Sequence, residues 1–419
     1  MNAHRLFLAS RVALIVTAMS FALRGAAGGA WATQFNLSYE QVGWVTGTAF
    51  WGFTLAMLFG GPLCDALGLG RIIAIAFVGH LAGILLTMFA WNYTSLYVGT
   101  LVFGVANGSV EAACNPLIAA LYPNDKTTKL NHFHVWFPGG IVIGGVLSYF
   151  MQGHGLGWKA QFATMLIPLV IYGAMFVGQS FPKTERVQLG ISWGSMFKAC
   201  LNPLFILMVA CMLMTASTEL GINQWIPTIL GNLGISSILV LVWINGVMAV
   251  GRQCAGTFVH RLSPLGMLVC SAALSAVGLY AMSKSSGPMI YVVATVFAMG
   301  VCFFWPTMLG YVNERFPSTG ALGLAIMGGA GMLATNFALP IIGKFYDQGI
   351  ALRIPAGQTT ATLAAAPDTS LWMRIQADAG LDTLQKIAVL PCILFVIFLI
   401  LFVTRPKAKP VILESASAH

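Results

Sequence analysis

Two short stretches and one lone cation in this chain carry side chains able to do chemistry in otherwise hydrocarbon-like surroundings. They are EAACNP from Glu111, TELGINQW from Thr218, and Arg24 in FALRGAAGG. Asn115 follows Glu111 by four residues and Asn223 follows Glu219 by four, so on helices each acid shares a face with an amide. A carboxyl group can take up and release a proton, while Asn115, Asn223, Gln224, Asn245 and Asn336 can both donate to and accept from substrate hydroxyls. Arg24 suits an anion. Charges at mid-membrane cost from about 2.5 kcal/mol upward, so they face a wet cavity or a partner. Two readings stay open for each. Arg24 and Glu111 form either a working pair with substrate and proton or a permanent structural ion pair, and Asn223 either binds substrate or simply bonds Glu219.

Trp225, Trp305, Trp136 and Trp31 have faces on which a pyranose ring can stack, although tryptophans in membranes more often form interfacial belts. His132 and His134 open a helix after the polar loop PNDKTTK. At i and i+2 they do not share a helix face, which argues against a metal site. His134, one turn from Asn131, is the candidate for a substrate contact. No Walker loop, GxSxG or zinc spacing occurs, so neither ATP hydrolysis nor covalent catalysis is expected, and no cofactor or metal.

These residues must be held by membrane helices. The chain of 419 residues is 58% hydrophobic and 8% charged, against roughly 25% charged in soluble domains. Apolar runs of about 20 residues recur about twelve times, each long enough to cross hydrocarbon as a helix. The period-2 pattern of a membrane barrel is missing, so an all-α membrane protein of twelve transmembrane helices is expected. The formal charge of +9 forms no nucleic-acid-binding stripe. Arg5, Arg11, Arg71, Lys126, Lys129, Lys183, Lys198, Arg315 and Arg405 instead fall on one side of the alternating spans. The positive-inside rule then puts both termini in the cytoplasm of a multi-pass cell-membrane protein, such as one of a bacterial inner membrane. Arg24 within the first apolar stretch argues against a cleaved signal peptide. The eight cysteines show no CxxC pair and read as packing residues.

Turn signals divide the chain into a six-helix bundle over 1–181, a cytoplasmic linker with an interfacial segment over 182–203, a second bundle over 204–404, and a cytoplasmic tail over 405–419. The segment from Asp347 to Thr383 is too polar to span and is expected to be an extracytoplasmic loop. Gly61 and Gly251 stand 190 residues apart, as do Pro116 and Pro306. A shared offset indicates parallel repeats facing each other about an axis along the membrane normal.

The turn GPLCDALGLGR (61–71) resembles the loop signature of the major facilitator superfamily, through Gly61, Asp65, Gly68 and Arg71, with Gly251 and Arg252 at the matching place in the second half. The resemblance implies a gating role for this set. EAACNP followed by LNHFHVWFPGGIVIGG resembles the fucose/galactose/glucose proton-symporter branch, as do TELGINQW, LSP (262–264), FWPT (304–307) and IIGKFYD (341–347). That branch carries an acid five residues before a Gln-Phe pair on the first helix; here Gln34-Phe35 puts Gly29 at that position. The 190 offset maps Gly29 onto Glu219, which is expected to replace the missing acid. The resemblance implies proton-coupled symport of a monosaccharide by alternating access. Glu111 and Glu219 would couple protons, and Arg24, Asn115, His134, Asn223, Gln224, Trp225, Trp305 and Asn336 would hold substrate. The partners are then a small solute, a proton and the bilayer, in a monomer, with no nucleic acid. An organic-anion symporter using Arg24 is the main alternative, and a non-transporting membrane sensor a remote one.

Overall fold

The computed structural model describes residues 2–122, 126–183, 193–253, 262–366 and 369–404. Every element among them is helical. Eleven helical stretches are long and apolar enough to cross a membrane: Ala3–Gln34, Tyr39–Gly60, Leu69–Met88, Tyr93–Leu121, His132–Gly153, Trp158–Phe176, Pro203–Ile229, Pro264–Met282, Met289–Val312, Leu322–Ala351 and Ser370–Thr404. With the shorter apolar helix Ser237–Gln253 they make twelve spans, numbered here in chain order. Twelve alternating spans bring Asn2 and Thr404 to one face, called the terminal face below; the other is the distal face.

Local chemistry sets many of the boundaries. Ser38 Oγ accepts from the Gln41 amide, and Gln41 returns a bond to the Ser38 amide, starting the second span with a capping box. Asn92 and Ser95 do the same for the fourth span. Asn202 before Pro203 and Ser263 before Pro264 pair a capping side chain with proline at the first helical position. Gly68 turns the chain between the second and third spans at φ +89°, a conformation that disfavours any side chain.

Hydrophobic burial divides into two main cores. One runs from Leu6 to Phe176 within the first six spans; the other belongs mainly to the last six and reaches into the first half through Phe21, Phe50, Phe53 and Ile141. Large apolar side chains such as Val78, Phe150, Ile167 and Val292 stay exposed around the outside, as a lipid-facing surface requires. Between lipid-soluble helices close contact comes from small residues. A Cβ at Gly108 would lie 2.5 Å from the Phe53 carbonyl oxygen, and one at Gly104 would strike the Ala49 backbone, so the second and fourth spans touch backbone to backbone.

One sequence expectation needs adjusting. The eleventh helix continues to Ala351, and the twelfth begins at Ser370, inside the stretch expected to be a loop. That segment is amphipathic rather than apolar, and it buries Ile375 and Ala379 against Tyr346 and Ile350. In the stretch expected to be a linker with an interfacial segment, Trp193–Cys200 is a short helix, while 184–192 lies outside the described residues.

Candidate functional site

Arg24 sits in the first span with 1% of its surface exposed. Its Nε donates to the Ser20 carbonyl at 3.1 Å, and its guanidinium lies 4.6 Å from the Phe21 ring centroid and 5.7 Å from that of Phe50. Among the described residues neither terminal nitrogen has a hydrogen-bond partner. The permanent Arg24–Glu111 pair is therefore not formed: the cation is walled by aromatic rings and its two outer nitrogens are unsatisfied. On the facing seventh span, Gln224 donates from Nε2 to the Phe21 carbonyl at 2.9 Å, and its buried Oε1 is also without a partner. An unsatisfied donor fork and an unsatisfied acceptor thus adjoin the same phenylalanine from opposite bundles.

Glu111 lies in the fourth span ten residues before its end at Leu121, so it sits roughly 15 Å in from the terminal face. Its pairing is with Asn115 and His134. Asn115 Nδ2 donates to Glu111 Oε2 at 2.9 Å. That fixes Asn115 Oδ1 as the acceptor for His134 Nε2 at 3.1 Å, leaving His134 Nδ1 3.9 Å from Glu111 Oε1. The histidine side chain is 46% exposed and the glutamate 8%. The sequence paired Glu111 with Asn115 correctly, and His134 completes the set from the next helix; the side chain of Asn131 lies outside the described residues. His132 is exposed.

Glu219 takes a different partner from the one its spacing suggests. The seventh span forms a π turn over Ser217–Gly221, an irregularity that re-aims side chains and clusters at functional sites. Arg252 of the eighth span donates to Glu219 Oε1 at 2.9 Å and to the Cys302 carbonyl at 3.0 Å. Arg252, expected in a gating motif, is thus an ion-pair partner within the second bundle. Asn223 does not bond Glu219; its Oδ1 accepts from Asn245 at 3.3 Å. Trp225 is buried and donates to the Leu339 carbonyl. The backbone and side-chain oxygens of Asn336 press on Gly47 where the second and eleventh spans cross. Trp305 is half-buried and packs against Gly328 and Gly331 of the eleventh span. Trp31 packs among Trp158 and Phe162, away from the other candidates, and Trp136 is half-buried. Among the described residues no cluster of three His, Cys, Asp or Glu is placed to hold a metal.

The family model described as Major Facilitator Superfamily matches residues 12–338. The chain belongs to the major facilitator superfamily. It is 28% identical over 301 residues to the 3-(3-hydroxy-phenyl)propionate transporter of Escherichia coli (strain K12), covering 66% of this chain and 71% of that one. It is 25% identical over 371 residues to the gallate transporter of Pseudomonas putida, covering 74% and 81%. A D-xylose transporter of Levilactobacillus brevis is 26% identical over 150 residues, a match that spans 35% of this chain and only 33% of that relative. The fold is similar to the inward open conformation of the xylose transporter XylE from E. coli, with TM-score 0.72 at 14% identity over 98% of both chains. The architecture is the twelve-helix facilitator fold.

Within this facilitator the signature turn is only partly visible. The side chain of Asp65 and the surroundings of Gly61 lie outside the described residues. Arg71 reaches back to the Leu67 carbonyl at 3.3 Å, and Gly251 abuts Cys302. The sequence reading missed a buried polar chain. Tyr172 and His80 are 2.9 Å apart, His80 and Asn107 2.9 Å, and Asn107 donates to Ser20 at 3.2 Å. Because the Asn107 amide nitrogen faces Ser20, its oxygen accepts from His80 Nε2, and His80 Nδ1 then accepts from Tyr172. Four spans are stitched together behind Arg24. Asn107, one turn before Glu111, was the available signal.

Proposed function

We propose that this facilitator moves an organic anion, a carboxylate on an aromatic or hydroxylated body, together with a proton, by alternating access. The observation that carries the reading is Arg24: a buried guanidinium with two unsatisfied nitrogens is costly unless an anion joins it during the cycle. Two roughly parallel N–H donors suit a carboxylate. Phe21 and Phe50 offer ring contacts to an aromatic body, and Gln224 Oε1 is ready to accept from a hydroxyl. Two of the relatives matched over two thirds of this chain or nearly so are named for 3-(3-hydroxy-phenyl)propionate and gallate, both hydroxylated aromatic carboxylates.

The monosaccharide reading draws on the amides and on the partial D-xylose match. It is the second choice because Asn223 and Asn245 bond each other, Asn336 is committed to helix packing, and sugars supply nothing to neutralise Arg24.

Glu111 is the proton site in this proposal, since among the described residues it carries no arginine or lysine partner and it reaches the exposed His134. Glu219 is assigned to structure through Arg252. Purified protein in liposomes tests both parts. Gallate and 3-(3-hydroxyphenyl)propionate, but not D-xylose or D-glucose, should shift the melting temperature and accumulate under a pH gradient. Glu111→Gln should abolish uphill accumulation and keep counterflow. Accumulation of D-xylose with no response to either carboxylate refutes the cargo assignment, and unchanged accumulation by Glu111→Gln refutes the proton site.

A further inference from the structure

The amide accounting at the start of the second span points to a gate. A helix start leaves its first N–H groups without partners. Here Ser38 Oγ takes the Gln41 amide, which leaves those of Tyr39 and Glu40. Both are accepted by the carboxylate of Asp347 on the eleventh span, at 3.1 Å from the Tyr39 nitrogen and 2.8 Å from that of Glu40. The second span belongs to the first bundle and Asp347 to the second, so the helix is capped half by its own residue and half across the divide.

Other contacts gather at the same point. The Tyr39 ring lies 4.7 Å from that of Tyr346 and 6.2 Å from that of Trp225. Its hydroxyl accepts from Gln376 at 3.3 Å, on the amphipathic start of the twelfth span, and Gln376 in turn accepts from Asn232 at 2.8 Å. Gly343 has no room for a side chain, because a Cβ there would collide with the Tyr39 carbonyl. All of these contacts lie on the distal face, and all join one bundle to the other or brace that junction.

We infer that Asp347 is a reversible latch, a helix cap lent by the second bundle to the first, which holds the distal face shut and is surrendered when the bundles rock apart. Rocking of two bundles about a central site is the general motion of this fold. A carboxylate on two helix-start amides makes charge-assisted bonds favoured by the helix dipole. The division of labour explains how the gate opens without unravelling the helix: the Ser38–Gln41 box stays intact while water replaces Asp347 on two amides.

Hydrogen exchange read by mass spectrometry on the full chain in nanodiscs tests the latch without any substrate. Asp347→Asn and Asp347→Ala should raise exchange of the peptide holding Tyr39 and Glu40 at least about tenfold, the effect of losing one charge-assisted bond or more. They should also raise exchange across the seam at 223–232, while 100–110 in the core of the first bundle stays unchanged. Gly343→Ala, which keeps the carboxylate but pushes the spans apart, should give the same pattern. Ser38→Ala should raise exchange only at the start of the second span. Exchange within twofold of wild type in both Asp347 variants overturns the latch, as does an increase confined to residues 39–41, which would mark a local cap.

Discussion

Replacing Arg24 with methionine should make the protein more stable and insensitive to carboxylates. The guanidinium retains one bond to the Ser20 carbonyl and ring contacts at 4.6 and 5.7 Å. Those cation–ring contacts return about 0.5–2 kcal/mol. Against them stand two buried nitrogens without partners, each costing about 1–3 kcal/mol and more when charged. The balance leaves roughly 2 kcal/mol of destabilisation that a flexible apolar side chain of similar length removes. In thermal melts of the solubilised protein, Arg24→Met should therefore melt several degrees above wild type without ligand. Wild type should recover that gap with ligand, since about 2.7 kcal/mol is gained at a hundred times Kd; the variant should gain nothing. A variant that melts below wild type refutes the reasoning, because the guanidinium would then be a satisfied structural group rather than a charge waiting for an anion.

Three further outcomes follow from the packing. Arg252→Ala strands the buried Glu219 carboxylate and should cost about 3–5 kcal/mol, most of it recovered by adding Glu219→Gln, as a double-mutant cycle on melting will measure. His80→Leu leaves Asn107 and Tyr172 without their shared partner and should cost about 2 kcal/mol or more in urea-titrated melts; a neutral result would mean the chain is not fully satisfied through the histidine. Gly104→Ala drives a methyl group into the Ala49 backbone and should cost about 1–3 kcal/mol, seen as reduced yield of folded protein in gel filtration and a lower melting point.

Much of the scaffold was legible because the bilayer leaves the chain so few solutions. Apolar length announced the spans, while the caps Ser38, Asn92, Asn202 and Ser263 that set several of their beginnings came from the structure. The Glu111–Asn115 bond was legible too, since four residues on one helix fix a shared face whatever surrounds it. The same rule failed at Glu219 and Asn223. A π turn altered the spacing, and Arg252, thirty-three residues away in sequence, supplied a stronger partner. The start of the twelfth helix was misread as loop because its apolar stripe is narrow and meets protein rather than lipid.

The sequence by itself determined that this is a helical membrane protein, which residues are charged within its spans, and which of them share a helix face. Those are consequences of composition and helical periodicity, both local. Only the tertiary structure decided that Arg24 has no acid beside it among the described residues, that Glu219 has Arg252, that His80 links four helices, and that Asp347 caps a helix of the opposite bundle. Each depends on where two helices cross. A crossing is set by glycine contacts and side-chain packing summed over whole spans, so it cannot be read from the spacing of residues along any one of them.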